Sequence, residues 1–252
     1  MEAPVKFMRG IRAFKGGRRV GGQDRRMASD VPSRRVLGAE ALGTGVLVCV
    51  VIGSGILGSQ LSRDFGVVLV INMVATILGL GLLIYLLQPV SGAVFNPVIT
   101  VVLWRRGAMS GRSASTMSLT QIVGACLGAL VANSMFNRPA VSISSTSRST
   151  VGEFLAEIIA TAGLVAAVSA CLDRGATSAL VFVVPAWIGS AYLFTSSTSF
   201  ANPAVTMGRT LSDSFAGIAP SSVGIFLIAQ VMGGVLGYAV AWVWGTSRVE
   251  QR

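Results

Sequence analysis

The chain has 252 residues, 52% hydrophobic and only 12% charged, with a mean hydropathy of +0.72, a composition that argues against a soluble domain facing water. There is no histidine, which removes the usual neutral-pH acid-base residue and the commonest metal ligand. With no clustered acids and no nucleotide loop either, no enzyme, cofactor or metal site is expected. The net charge of +10 suggests nucleic acid only if the cations gather on one folded surface.

Residues 1–35 hold ten of the twenty basic residues and are expected to form a disordered basic tail. This stretch lacks an amphipathic stripe and an apolar run before a small-residue cleavage site, so it reads poorly as a targeting segment. Met27 is a candidate start, because nothing before it is expected to join the fold. Six apolar segments follow, at 38–59, 66–88, 114–136, 152–172, 178–195 and 221–245. Each approaches the roughly 20 residues a helix needs to cross a hydrocarbon core of about 30 Å. Two shorter pieces, 96–104 and 202–211, each open with Asn-Pro. At about 1.5 Å per residue they make half-helices and not spans. Cys49, Cys126 and Cys171 each lie within an apolar run and read as small hydrophobes.

Sixteen basic residues fall in the N-terminal tail, the 105–113 and 173–177 connections and the C-terminus, against Arg63, Arg138, Arg148 and Arg209 on the other side. That excess places both termini in the cytoplasm and turns the net charge into an orientation signal. A nucleic-acid partner is therefore not expected. Trp104 beside Arg105, and Trp242 and Trp244 before Arg248, suit the interfacial belt.

The chain repeats itself. Glu40-Ala-Leu-Gly-Thr44 matches Glu157-Ile-Ile-Ala-Thr161, Asn96-Pro97 matches Asn202-Pro203, and Gln121, Gly124 and Gly128 match Gln230, Gly233 and Gly237. Repeat 1 covers about 36–136 and repeat 2 about 150–245, with a short tail at 246–252. Three spans per copy is an odd number, so the second copy is inverted and the two half-helices enter from opposite faces. Asn is a preferred N-cap and Pro suits the first helical position, so each half-helix starts abruptly near the midplane. An Asn whose oxygen caps the helix keeps its amide N–H groups for a solute. Two positive dipole ends meeting there disfavour cations and protons.

Glu40 and Glu157 are ionisable groups at membrane depth, so they must face partners or a cavity. A proton relay in a coupled transporter is one reading. The favoured one is that each carboxylate satisfies backbone donors in the non-helical loop before a half-helix, with the threonine one turn later joining the network. The paired Gly-x-x-x-Gly motifs are expected to let spans cross closely within one protomer rather than to dimerise. Ser196, Ser197 and Thr198 either line a vestibule or form an ordinary loop.

SGAVFNPVIT (91–100) and SFANPAVT (199–206), with the paired Glu motifs and the Gln-x-x-Gly spans, resemble the aquaporin or major intrinsic protein family over 36–245. The resemblance implies an all-α membrane fold of six spans and two re-entrant half-helices. It also implies a homotetramer in the lipid bilayer, each protomer carrying its own pore for water, glycerol or other small neutral solutes. Asn96 and Asn202 would face that pore while Pro97 and Pro203 pack together.

This chain departs from the family pattern at several positions. The first box reads Asn96-Pro97-Val98 and not Asn-Pro-Ala, and a β-branched residue there is expected to shift how the half-helices abut; the second box keeps Asn202-Pro203-Ala204. Val94 stands where members usually carry His, and Val205 where they carry the filter Arg. Arg209, one turn further out, either guards the outer mouth or snorkels to headgroups. The other filter positions correspond to Thr76, either Gly189 or Ser190, and Ser199. By size these imply a wide, weakly polar filter without a cation. FANPAVTMGR and SDSFAGIAP (200–220) look like a bacterial branch of the family found beside arsenic-resistance genes, which implies an inner-membrane channel for arsenite as neutral As(OH)₃.

Overall fold

The computed structural model describes residues 31–246. The expected basic tail, the candidate start at Met27 and the segment after 246 lie outside the described residues, apart from positions 31–35. Six long helices are α1 (Arg34–Leu61), α2 (Phe65–Ser91), α4 (Gly111–Met135), α5 (Val151–Asp173), α6 (Leu180–Phe194) and α8 (Pro220–Thr246). The half-helices are α3 (Pro97–Arg105) and α7 (Pro203–Arg209). Among the described residues there is no strand, so the fold is all-α, and six helices are long and apolar enough to cross a membrane. The helix α1 begins at Arg34, two residues before the expected boundary.

Short polar side chains set where these helices start. Ser33, Asp64, Asn96, Ser110 and Asn202 each accept a bond from a backbone N–H of the first turn, and Thr150 forms a capping box with Glu153. The central packing is α1 against α4 and α5 against α8, related by the repeat. A Cβ on Gly124 or Gly128 would overlap the backbone of Ala41 or Gly45 on α1. A Cβ on Gly233 or Gly237 would meet the carbonyl of Ile158 or Ala162 on α5. These residues are the repeat partners of Ala41 and Gly45, so the same backbone crossing occurs twice. The glycine motifs work within the chain, as the sequence suggests.

Large apolar side chains such as Leu78, Leu82, Leu119, Leu127, Phe182 and Val235 stay exposed on the outer faces of the spans. In water such a surface would aggregate; in a bilayer it is the solvated face. Cys49, Cys126 and Cys171 are free thiols. Trp104 stacks with Arg105 at 5.9 Å, and Trp242 and Trp244 are exposed near the end of α8.

The Gly128→Val variant should push α4 away from α1, with an overpacking cost of about 1–3 kcal/mol or more. A lower melting temperature in detergent and loss of monodisperse protein are expected. Gly224→Ala, whose Cβ meets open space, should melt like the native chain.

Candidate functional site

The two segments leading into the half-helices are the only re-entrant connections among the described residues, and both carry unusual backbone. Ala93 and Phe95 have φ of 51° and 50°; their repeat partners Ser199 and Ala201 have 53° and 47°. Left-handed conformations cost non-glycine residues roughly 1–2 kcal/mol each, so something must hold them. Glu40 and Glu157 do so. Glu40 accepts from the N–H of Val94 at 3.0 Å and of Phe95 at 2.8 Å, from Ser91 Oγ at 2.6 Å and from Gln121 Nε2 at 2.8 Å. Glu157 accepts from the N–H of Phe200 and of Ala201 at 2.9 Å and from Gln230 Nε2 at 2.9 Å.

The same glutamines extend the link to the half-helices. Gln121 Nε2 also donates to Thr100 Oγ1 at 3.1 Å, and that hydroxyl donates to the Asn96 carbonyl at 3.0 Å. Gln230 does the same through Thr206 to the Asn202 carbonyl, at 2.9 Å in both steps. The expected threonine role is different in detail. Thr44 bonds back to its own helix at the Glu40 carbonyl, and Thr161 Oγ1 is buried with no partner, so neither touches a carboxylate.

Peptide planarity then dictates the opposite side of each loop. With trans peptides, N–H groups of residues 94, 95, 200 and 201 aimed at the glutamates turn the carbonyls of Ala93, Val94, Ser199 and Phe200 the other way. All four residues line a cavity that lies between the half-helices and α1, α2, α5 and α6. Its empty volume is about 1080 Å³, counting open space at its mouths.

Asn96 and Asn202 also line this cavity. Asn96 Oδ1 accepts from the Val98 N–H, and its Nδ2 donates to the carbonyl of Ala201 at 2.8 Å. Asn202 Oδ1 accepts from the N–H of Ala204 and Val205, and its Nδ2 donates to the carbonyl of Phe95 at 2.8 Å. Each amide carries two hydrogens, so one fastens the two repeats and the second is left to donate into the lumen. The sequence reading missed the cross-repeat bond. Pro97 and Pro203 open α3 and α7, Ala204 is fully buried, and Val98 packs against α8 at Gly234, whose missing side chain leaves room for the valine methyl.

The opposite wall is apolar. Leu80 and Ile84 of α2, Val184 and Ile188 of α6, Leu47 and Val51 of α1, and Leu164 and Val168 of α5 face the lumen. A solute thus meets oxygen acceptors and amide donors on one side and hydrocarbon on the other.

The end of the lumen toward the 137–150 loop differs from expectation. Thr76, Ser199 and Val205 line it, whereas Gly189 and Ser190 do not. Gly189 is buried against Ile77 of α2, and Ser190 is exposed on the outer wall. The lumen-facing stripe of α6 is Leu180, Val184, Ile188 and Tyr192, one residue per helical turn, mirroring Thr76, Leu80, Ile84 and Gln88 on α2. This spacing was readable in the sequence and would have found Tyr192. The tyrosine hydroxyl lies 3.4 Å from Thr76 Oγ1.

Arg209 also departs from the snorkelling reading. It is 1% exposed, lines the lumen, donates from Nε to the Ala216 carbonyl, and places its guanidinium 3.4 Å from the Phe200 ring centre. With Tyr192 and Arg209 present, this end is neither weakly polar nor without a cation. Arg148, in the loop outside the spans, approaches the same ring at 5.2 Å and donates to the carbonyls of Gly217 and Phe215. Burial holds its pKa below the ordinary arginine value, with Glu153 and Glu157 acting in the other direction. Ser197 and Thr198 are buried in the loop, and Ser196, Ser197 and Thr198 do not line the lumen.

A sequence model for the family described as Major intrinsic protein matches residues 27–201. Aquaglyceroporin AqpS of Rhizobium meliloti (strain 1021) is 40% identical over 202 residues, 80% of this chain and 86% of that protein. Propanediol uptake facilitator PduF of Citrobacter freundii is 38% identical over 96 residues, 37% of this chain and 34% of that protein. The X-ray structure of the aquaglyceroporin from Plasmodium falciparum superposes with a TM-score of 0.60 at 19% identity, covering 81% of this chain and 93% of that one, a likeness of fold.

The Glu157→Gln variant would set an amide N–H₂ or a weaker acceptor against the N–H groups of Phe200 and Ala201. A loss of about 3 kcal/mol is expected from the buried, charge-assisted bonds. Thermal unfolding in detergent at pH 7 measures it; an unchanged melting temperature would contradict a loop-holding role.

Proposed function

The chain belongs to the major intrinsic protein family and is a multi-pass membrane protein; from that premise we propose a passive channel for small uncharged, hydroxyl-bearing solutes. The observation that carries the reading is the two-sided lumen. Loop carbonyls accept from a solute hydroxyl, and the amides of Asn96 and Asn202 donate to its oxygen. The hydrocarbon wall receives the solute's carbon or water-poor face. A cation entering this midsection would trade hydration for amide donors and helix N-termini, which repel it.

The favoured solutes are small polyols such as glycerol and metalloid hydroxides, with arsenite as As(OH)₃ the physiological candidate; water and glycerol alone are the alternative. Three hydroxyls on a compact, neutral body are common to glycerol and As(OH)₃, so one lumen can serve both. Support for the polyol class comes from the similarity to AqpS, an aquaglyceroporin. In the selective parts, Asn96, Pro97, Val98, Asn202, Pro203 and Ala204 form the central junction. Thr76, Ser199 and Val205 belong to the outer filter, Arg209 to the outer mouth, and Glu40 and Glu157 support the loops.

A proton-coupled transporter using Glu40 and Glu157 is disfavoured by their geometry: both carboxylates face loop N–H groups, and neither lines the lumen. We further assign the channel unit to 36–245 in a bacterial inner membrane, with 1–35 and 246–252 as cytoplasmic tails. The basic excess on those connections supports this orientation. A homotetramer is the assembly the family resemblance implies, and the exposed apolar flanks of the spans leave surface for lipid and neighbouring protomers.

Proteoliposomes holding the purified chain should swell faster than empty liposomes in glycerol, and should take up arsenite without a pH gradient. Equal rates in both preparations for water, glycerol and arsenite would remove the channel reading. Accumulation against a gradient when a proton gradient is imposed would favour the transporter.

A further inference from the structure

The two half-helices present equivalent residues to the lumen. From α3 these are Ile99 and Leu103; from α7 they are Val205 and Arg209, at the same distances beyond the capping asparagines. The repeat is therefore broken at one pair: Leu103 at one end of the lumen corresponds to Arg209 at the other. A buried arginine in place of a leucine at membrane depth carries a large desolvation cost unless its surroundings are built for it.

They are. The segment 212–219 turns three successive carbonyls onto two guanidiniums: Ala216 accepts from Arg209, and Gly217 and Phe215 accept from Arg148. Both cations lie against Phe200, Arg209 at 3.4 Å and Arg148 at 5.2 Å from the ring centre. The ring itself is fixed by an edge contact with Phe226 at 5.0 Å between centroids. Among the described residues no carboxylate forms a salt bridge with Arg209, which is held by a carbonyl and an aromatic face. Around it on the lumen wall stand Tyr192, Thr76 and Ser199, and the Ser199 hydroxyl is buried with no protein partner.

We propose that Arg209, reaching in from the second turn of α7, is a specificity-determining residue. It supplies the cation of the outer constriction against Tyr192, Thr76 and Ser199, with Arg148 and Phe200 as its positioning residues. A guanidinium has five N–H donors, and one is spent on Ala216. The rest of the fork binds the oxygens of a neutral solute, while the charge turns back cations before they reach the asparagines. Val205 leaves the first turn of α7 without a polar group, so the cation at this end is supplied by a residue one helical turn further along the helix, whose side chain reaches back to Phe200. The substrate class this favours is a polyol or trihydroxylated solute that turns its oxygens to one edge and passes carbon or the bare metalloid along Val205 and Ile188.

The inference rests on the channel reading, and one set of proteoliposomes separates their failures. Wild-type liposomes that conduct no neutral solute would sink the channel. If the wild type conducts, Arg209→Ala should raise the leak of a small cation such as methylammonium by about tenfold and change the glycerol-to-water permeability ratio by about threefold. Arg209→Lys should keep the cations out while changing the solute ratio. Moving the charge inward in the double variant Arg209→Ala with Val205→Arg should restore cation exclusion and slow glycerol more than water. If the Arg209→Ala chain fails to reconstitute, Arg209→Lys and Tyr192→Phe, which removes one hydroxyl from the same ring of groups, carry the test. Conducting variants with native cation leak and native solute ratios would overturn the proposal and leave Arg209 as a tie between α7 and the 212–219 segment.

Discussion

Two buried carboxylates hold the non-helical backbone on which the lumen depends. A loop that dips into the membrane exposes N–H groups where no bulk water can reach them, at several kcal/mol for each one left unpaired. Glu40 and Glu157 take up two such groups apiece and face away from the lumen while doing so. Everything on the permeation side follows from that grip. The N–H groups point outward to the glutamates, so the carbonyls point inward, and the left-handed residues at 93, 95, 199 and 201 are the backbone solution that allows it. Without the carboxylates the strain in these four residues would have no compensation, and the half-helices would lose their fixed starting points.

The grip needs close helix packing to reach its targets. Gln121 on α4 and Gln230 on α8 touch the glutamates only because Gly124 and Gly128, and Gly233 and Gly237, let α4 and α8 lie backbone to backbone on α1 and α5. From each glutamine a hydroxyl and then a carbonyl lead to the capping asparagine. The small residues, the carboxylate, the glutamine, the threonine and the asparagine in each repeat are thus one mechanical unit. The cross-repeat bonds from Asn96 to Ala201 and from Asn202 to Phe95 join the two units at the centre.

Much of this was legible in the amino-acid sequence because a duplication states each feature twice. Six spans, two half-spans, the inverted repeat and the loop role of the glutamates all came from spacing, since a 3.6-residue period and a bilayer thickness leave few alternatives. What was not legible depended on rotation about a helix axis or on a loop's path. Gly189 and Ser190 are neighbours of Ile188 and lie about 100° and 200° around the helix from it, so a shift of one residue separates a lumen position from the wall. Arg209 was ambiguous for a related reason. Length alone permits its side chain to reach either headgroups or lumen, and the choice was made by Phe200 and the carbonyl of Ala216, which lie close in the chain but meet it only through the path of the folded loop. Val98 was resolved by Gly234, more than a hundred residues away, whose missing Cβ absorbs the extra methyl.

The places where the repeat fails carry information that its regularity does not. A perfectly duplicated pore would be the same from both sides, and its selectivity would sit at the centre, where Asn96 and Asn202 are equivalent. Here the lumen ends differ. Toward the α3 terminus the wall is Leu103, Leu172 and Leu180, with Gln88 donating to the Thr177 carbonyl at the rim; toward the α7 terminus it is Arg209, Tyr192, Thr76 and Ser199. One mouth is mainly hydrocarbon and the other is a ring of hydroxyls around a fixed cation. A solute therefore meets a charge-selective ring at one end, the two amides in the middle and a largely apolar exit at the other. For a passive pore this asymmetry cannot bias net flux, which the gradient alone determines. It can place the barrier, and thus the discrimination between solutes, at a single ring of residues where Val205 stays apolar and Arg209 supplies the charge.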